Sequence, residues 1–327
     1  MGLRCDGFSF GGVGTIVNTA FLSSVATLGA GARVALVAPA GPLRGVDDLD
    51  HAIANARSMG WEPVPGAHVL ARSGYLAGTD AERLLDLNGA IRDRSIDAIW
   101  CVRGGYGVTR ILDGIDYDVL SAHPRPIVGY SDITALHAAV GVRCGIRSYH
   151  GPTARTVLTP FTRNSFERAI LFDENPCGTA HGARTIRGGR AVGRLAGGNV
   201  AVLSALSGTA YFPDLSNAIL VLEDVNEAVY RIDRMLQQLA MTGALDHLAG
   251  IAFGHCTSCD PLAEQSASTD SELRTLDDVL REVADSLNVP CVAGLPIGHI
   301  DDHWTLPLGA PATLDATGLT LTVGVAV

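Results

Sequence analysis

The sequence predicts an α/β protein built from two domains. Short apolar runs that end in Pro/Gly turns read as buried strands, and segments with capping signals and an apolar stripe read as helices. The two kinds alternate along the chain. An irregular stretch near the middle divides the alternation into two series.

The first series opens with "ARVALVAPAGPL" (32–43), a strand running into a turn. "DLDHAIANARSMG" (48–60) is a helical pattern closed by a glycine. "GTDAERLLDLNGAIRD" (78–93) places Glu82 three residues after Thr79, a capping box ahead of an apolar stripe. "DAIWCV" (97–102) and "RPIVGY" (125–130) are strands, and "GVTRILDG" (107–114) between them reads as a short helix. Such alternation predicts a parallel sheet with helices on both faces. From about 151 to 188 the text is rich in Thr, Arg, Gly and Pro and reads as a connector. The second series has strands "AILVLE" (218–223), "GIAFG" (250–254) and "PCVAG" (290–294), with "PATLDA" and "LTLTV" near the end. Its helices are expected near 199–207, 227–240 and 275–287. The expected boundaries are an extension over 1–31, a first domain over 32–155, a connector over 156–188 and a second domain over 189–327.

With 47% apolar and 18% charged residues, a chain of 327 can bury a sizeable core. The net charge of −10 and the lack of a dense basic block argue against capture of nucleic acid or an anionic membrane. No apolar run approaches the roughly 20 residues that span a bilayer. Seven scattered cysteines, an odd number, read as reduced and mostly buried thiols of a cytoplasmic protein. "VNTAFLSSVATLGAGA" (17–32) imitates a signal-peptide core. Only Arg4 precedes it and Asp6 intrudes, so it is taken as part of the extension.

Three motifs carry chemistry. In "WCVRGGYGVTR" (100–110) a strand meets a glycine turn, where missing Cβ atoms let backbone N–H groups approach a ligand. That turn serves as a plain connection, a phosphate cradle or an oxyanion hole. As a dinucleotide fingerprint it is incomplete: Arg110 holds the third glycine's place, although Asp118 lies at a tolerable distance.

In "VGYSDITAL" a serine, Ser131, stands between a strand and a helix. A nucleophile elbow has that geometry, but Ile133 replaces its second glycine, and by pattern alone helix capping is the stronger reading. A serine nucleophile needs a base and an acid that orients it. His299 and His303 in "AGLPIGHIDDHWTLPLG" lie beyond a strand, Glu223 ends the strand "AILVLE" and Glu227 follows it in "EDVNE", and spacing alone does not show which of them meet Ser131. Third, "GHCTSCD" (254–260) holds a CxxC beside His255. A zinc site would need a second ligand pair, which is missing, so free thiols near a turn are expected and no metal.

Together these segments resemble the LD-carboxypeptidase family of serine peptidases, which includes the muramoyltetrapeptide carboxypeptidases and the microcin-C-resistance hydrolases. "VAPAGP", "AGTDAERLLDLN", "VRGGYGVTRIL", "VGYSDITAL", "GRLAGGNVAVLSALSGT", "VLEDVNEAVYRIDRMLQQL" and "GLPIGHIDDHWTLPLGA" stand in the family's order and cover about 33–323. The "LEDVNE…RIDRMLQQL" block looks more like the muropeptide branch. The resemblance implies a Rossmann-like or flavodoxin-like N-terminal domain, a C-terminal α/β domain with a barrel-like sheet, and an active site at their interface. It implies a triad of Ser131, Glu223 and His299, with Gly105 and the amide of Asp132 as oxyanion hole; Glu227 and His303 match no catalytic position. Two departures bear on substrate fit: Val229 and Tyr230 replace a Pro–aromatic pair, and the turn after "FGH" is cysteine-rich.

The substrate so implied is a murein tetrapeptide that loses its terminal D-alanine across an L,D bond. The setting implied is cytoplasmic peptidoglycan recycling by a homodimer without cofactor. Arg103, Tyr106 and Asn199 are the candidate substrate contacts. A microcin-C-type amide hydrolase is the alternative within the family, and a dinucleotide-binding protein the alternative outside it.

Overall fold

The computed structural model describes residues 21–259 and 274–324. The first series forms β1 (Arg33–Val37), α1 (Val46–Ser58), β2 (Glu62–Pro65), α2 (Asp80–Arg92), β3 (Ala98–Cys101), α3 (Tyr117–Ala122), β4 (Ile127–Gly129), α4 (Thr134–Cys144) and β5 (Ser148–His150). The strands lie in the order 2-1-3-4-5, all parallel. Along β1, Ala35 and Val37 enter one core while Val34 and Leu36 enter the other. Burial on both faces is why such a strand reads as an unbroken apolar run.

The capping box of α2 forms as its spacing predicts, with Thr79 and Glu82 bonding reciprocally. "GVTRILDG" does not form the expected helix. It makes two 3-10 turns, 108–110 and 112–114, because the glycines at its ends bracket too few residues to repay helix nucleation.

The second series begins with α5 (Pro160–Ile170), β6 (Arg184–Arg187), β7 (Arg190–Asn199) and α6 (Val200–Ala205). It continues through β8 (Ala218–Val225), α7 (Val229–Met241), β9 (Gly250–Thr257), α8 (Leu276–Leu287), β10 (Cys291–Ala293), β11 (Leu306–Leu308), β12 (Pro311–Asp315) and β13 (Thr320–Val323). Strands β7 to β10 are parallel, with β12 and β13 added antiparallel at one edge and β6 at the other. The sheet curls until its edges approach: Thr185 Oγ1 of β6 donates to the carbonyl of Ala316, in the turn between β12 and β13, at 2.6 Å, and Thr179, ahead of β6, bridges Thr320 of β13. Ile219, Val221, Val292, Leu314 and Leu321 fill the inside of the curl, while Leu220 and Leu222 face α7 and α8.

Two features depart from a simple two-part division. The stretch read as an irregular connector contains α5, started by the Thr159 cap with Pro160 behind it. Its Phe166 stacks on Trp100 of β3 at 5.0 Å, so the helix belongs to the first core. Strand β11, late in the chain, pairs antiparallel with β5 and extends the first sheet. Residues 21–31 also pack down: Leu22 donates to the Gly309 carbonyl and Leu28 is buried. Residues 1–20, with only the first four residues of the signal-like segment, lie outside the described residues. Among the described residues no helix is long and apolar enough to cross a membrane.

Leu306 of β11 is fully buried and serves the core of the second sheet while its backbone serves the first. Leu306→Ala should therefore cost about 2–5 kcal/mol. Urea unfolding should show one transition at a lower midpoint, since both sheets share this strand.

Candidate active site

Ser131 follows β4 on a backbone with φ of 67°, the left-handed region that residues with a Cβ seldom enter. A 3-10 turn, Ser131–Ile133, leads from it into α4. Neither the turn nor α4 receives a side-chain cap, so the capping role that the pattern favoured is absent. The Ser131 hydroxyl has no hydrogen-bond partner among the described residues. Strain of about 1–3 kcal/mol at an unengaged hydroxyl is what an elbow that presents a nucleophile looks like.

The glycine turn after β3 lies directly against this serine. A Cβ on Gly104 would sit 2.7 Å from Ser131 Cβ, so only glycine lets the two loops meet. The Gly104 carbonyl accepts from Gly41 N–H at 3.0 Å, and the trans peptide turns the Gly105 N–H away from that bond. The buried guanidinium of Arg83 donates to the Pro39 and Gly107 carbonyls, fastening the loops after β1 and β3 together. Since 3-10 turns follow rather than a helix, the glycine turn offers no long helix N-terminus to a pyrophosphate. That removes the basis of the dinucleotide alternative.

Glu223 and His299 are paired. Glu223 lies near the end of β8, where its pairing with β9 shifts, is fully buried, and accepts from His299 Nδ1 at 2.7 Å. With Nδ1–H so committed, Nε2 is the acceptor edge of the imidazole. Gly298, at φ 111°, makes room for this pair, because a Cβ there would lie 2.8 Å from Glu223 Oε2. The His299 loop is pinned from two sides: Thr257 Oγ1 donates to the His299 carbonyl at 3.0 Å, and Thr162 Oγ1 of α5 donates to the Asp301 carbonyl at 2.7 Å.

The two halves meet through Thr134 and Tyr130. Asn199 N–H donates to Thr134 Oγ1 at 2.9 Å, and Asn199 lies in register with Glu223 across β7 and β8. The Tyr130 ring lies 4.8 Å from the His299 imidazole. Tyr130, the residue before Ser131, thus packs against the imidazole that Glu223 holds, and no hydrogen bond joins Ser131 to His299 among the described residues.

Two family models match this chain: the LD-carboxypeptidase N-terminal domain over residues 34–151 and the LD-carboxypeptidase C-terminal domain over 192–314. The chain belongs to the LD-carboxypeptidase family. The murein tetrapeptide carboxypeptidase of Pseudomonas aeruginosa is 36% identical over 305 residues, covering 88% of this chain and 94% of that protein. A solved muramoyltetrapeptide carboxypeptidase from Oxalobacter formigenes superposes with a TM-score of 0.78 at 30% identity, covering 89% of this chain and 97% of its own. The wild-type apo structure of the microcin C7 self-immunity protein MccF gives 0.83 at 22% identity over 92% of this chain and 98% of its own, a likeness of fold. The molecule is therefore an enzyme, a carboxypeptidase of the serine type.

Other residues of this LD-carboxypeptidase family member take less expected places. Asn199, a candidate substrate contact, is buried with its amide spent internally: its oxygen accepts from Val202 N–H at 3.1 Å and its nitrogen donates to Asp224 at 3.1 Å. Its amide is thereby committed within the protein. Tyr106 is exposed beside Tyr75, and Arg103 is half-buried with a hydrogen bond to the Pro42 carbonyl. His303 is buried against Tyr130, and burial pushes its pKa down to about 4. Glu227 pairs with Arg231.

Cys256 and Cys259 are not the free thiols expected. They form a disulfide in the turn after β9, where Ser258, at φ 60°, bends the chain back and brings their Cα atoms to 5.5 Å. Cys101, Cys144, Cys177 and Cys291 are free. No cluster able to hold a metal occurs among the described residues.

The Asp132 side chain is a feature that sequence reasoning missed, since only its amide drew attention. The buried carboxylate accepts from Val108 N–H at 2.9 Å and also from Gly107, holding the glycine turn to the elbow. Burial raises its pKa to about 6 from 3.8. Between about pH 4 and 6 the folded state then binds the Asp132 proton more tightly than the unfolded state. The side chain's contribution to stability falls as pH rises through that window. Asp132→Asn removes this dependence. Relative to wild type, the variant should gain up to about 3 kcal/mol on going from pH 4 to pH 7. Urea midpoints of both proteins at the two pH values measure it.

Proposed function

We propose that the enzyme is an LD-carboxypeptidase that removes the C-terminal D-alanine from murein tetrapeptides through a Ser131–His299–Glu223 triad. The observation that carries the mechanism is the 2.7 Å hydrogen bond from His299 to the buried Glu223, taken together with a serine in a strained elbow. Support for the substrate comes from relatives named for murein peptides, at 36% identity by sequence and 30% by structure, against 26% and 22% for the microcin protein. Peptidoglycan recycling is the setting that this substrate implies.

In this reading Ser131 Oγ attacks the carbonyl of the scissile bond while His299 Nε2 takes its proton. Glu223 keeps the second imidazole proton on Nδ1 and stabilises the imidazolium as it forms. The N–H groups of Gly105 and Asp132 receive the oxyanion; each is free of a backbone acceptor among the described residues, Asp132 because it opens a helical turn. His299 then protonates the departing D-alanine amine. Water, deprotonated by the same imidazole, releases the acyl group and restores the serine.

Incubating a synthetic murein tetrapeptide with the protein should produce a mass loss of one alanine, read by mass spectrometry. Ser131→Ala, with circular dichroism unchanged, should slow that release by at least about 1000-fold; a variant as fast as wild type rejects the nucleophile. Glu223→Gln should lower kcat by about 100-fold or more with KM little changed, because the imidazole loses its orienting charge. Gly104→Ala forces the glycine turn off Ser131 by the width of a methyl group. It should cost about 100-fold in kcat/KM, the usual consequence of a 1 Å misplacement.

A further inference from the structure

Beside the glycine turn stands a cluster of guanidinium groups that the mechanism does not use. Arg103 donates to the Pro42 carbonyl and Arg72 to the Leu43 carbonyl at 2.8 Å, both in the loop after β1. Arg44 bonds Asp48 at 2.9 Å, and Arg155 pairs with the same carboxylate at 3.6 Å. Asp48 is thus shared by two cations and is the only acid paired with any of the four in these contacts. Its carboxyl is held down at about 2, first by its hydrogen bonds to Arg44. Positive charge is therefore concentrated here, in a chain whose net charge is −10.

The cluster lies at the reacting centre. A Cβ on Gly41 would stand 3.8 Å from Arg103 Nε and 2.9 Å from the Gly104 carbonyl, and Gly104 itself touches Ser131. Arg155 follows β5, neighbour of β4, so it rises from the same carboxyl edge of the sheet as Ser131. Its Nε is buried with no hydrogen-bond partner, and its side chain stays partly open to solvent. A guanidinium carries five N–H donors, most of them uncommitted in Arg103 and Arg155. The charge of Arg155 is felt at the Tyr130 phenol and at Arg103, each of which it lowers in pKa behind or against the effect of burial.

We propose that Arg155, together with Arg103, forms an anion subsite that takes the free carboxylate end of the peptide. The inference rests on the carboxypeptidase reading above and names how that enzyme tells a chain end from an internal bond. The planar fork of arginine matches a carboxylate through two parallel hydrogen bonds, and a peptide that continues past the scissile residue has no such group. A partly desolvated pair of cations also loses repulsion when the anion arrives.

The test uses the full chain carrying Ser131→Ala, so that binding is measured without turnover. The probes are an acetylated dipeptide ending in D-alanine and the same dipeptide with a C-terminal amide. By calorimetry the acid should bind at least about 10-fold tighter than the amide, and adding Arg155→Gln should bring the two together. Equal binding of acid and amide, or an unchanged ratio after Arg155→Gln, overturns the subsite. Should Arg155→Gln fail to fold, Arg103→Gln carries the same contrast, and an unchanged ratio there overturns it equally. Failure of the wild type to release alanine from a tetrapeptide would instead strike the substrate reading, and leaves the binding contrast to be judged on its own.

Discussion

A buried hydrogen bond from Asn199 N–H to Thr134 Oγ1 ties the helix behind Ser131 to the strand beside Glu223, in addition to the strand β11 that both sheets share. Thr134 opens the helix behind the serine, and Asn199 lies beside Glu223 on the neighbouring strand. Gly198 lets them close: a Cβ there would fall 2.5 Å from Thr134 Oγ1. Asn199 spends its own side chain on capping α6 and holding Asp224, so the contact is braced on both sides. Displacing it would move the helix behind Ser131 relative to Glu223 and His299, and in the proposed triad reaction rates are steep in such displacements. The loop that bears His299 is fixed by the same logic, between β9 and α5, with few degrees of freedom left to it.

Close approach recurs as the constraint at each junction. Gly104 against Ser131, Gly298 against Glu223 and Gly198 against Thr134 are places where a Cβ would collide with another chemical group of the site. Ser131 is the converse case, a residue that keeps its Cβ in a backbone region suited to glycine. Packing around it must supply the compensation. The fully buried Ile133 and the Asp132 carboxylate, anchored on the glycine turn, are the immediate sources.

Much of this was legible in the sequence because local chemistry and global fold agree. The capping box at Thr79, the apolar runs of β1, β3 and β8, and the turn glycines each point to what they become. Helix α5 was hidden because its cap and Pro160 resemble loop residues until Phe166 finds Trp100. Strand β11 is three residues long and holds a proline, too short to carry a period. At the site, motif resemblance singled out Ser131, Glu223 and His299; the fold pairs Glu223 with His299 and sets Tyr130, the residue before Ser131, against that imidazole. What no one-dimensional pattern carried was the inward turn of Asn199, the grip of Asp132 on a loop 24 positions away, and the closure of Cys256 on Cys259. Each depends on which atoms become neighbours only after the sheets have docked.

The return of β11 to the first sheet has an evolutionary corollary. The polypeptide leaves the first sheet after β5, builds the second, and re-enters the first to complete its edge beside β5. A recombination breakpoint placed between the two matched family segments would give each product a foreign edge strand. Viable chimaeras of relatives must therefore transfer residues 306–308 with the first half or keep both partners of that pairing from one parent. The architecture ties the inheritance of its halves together.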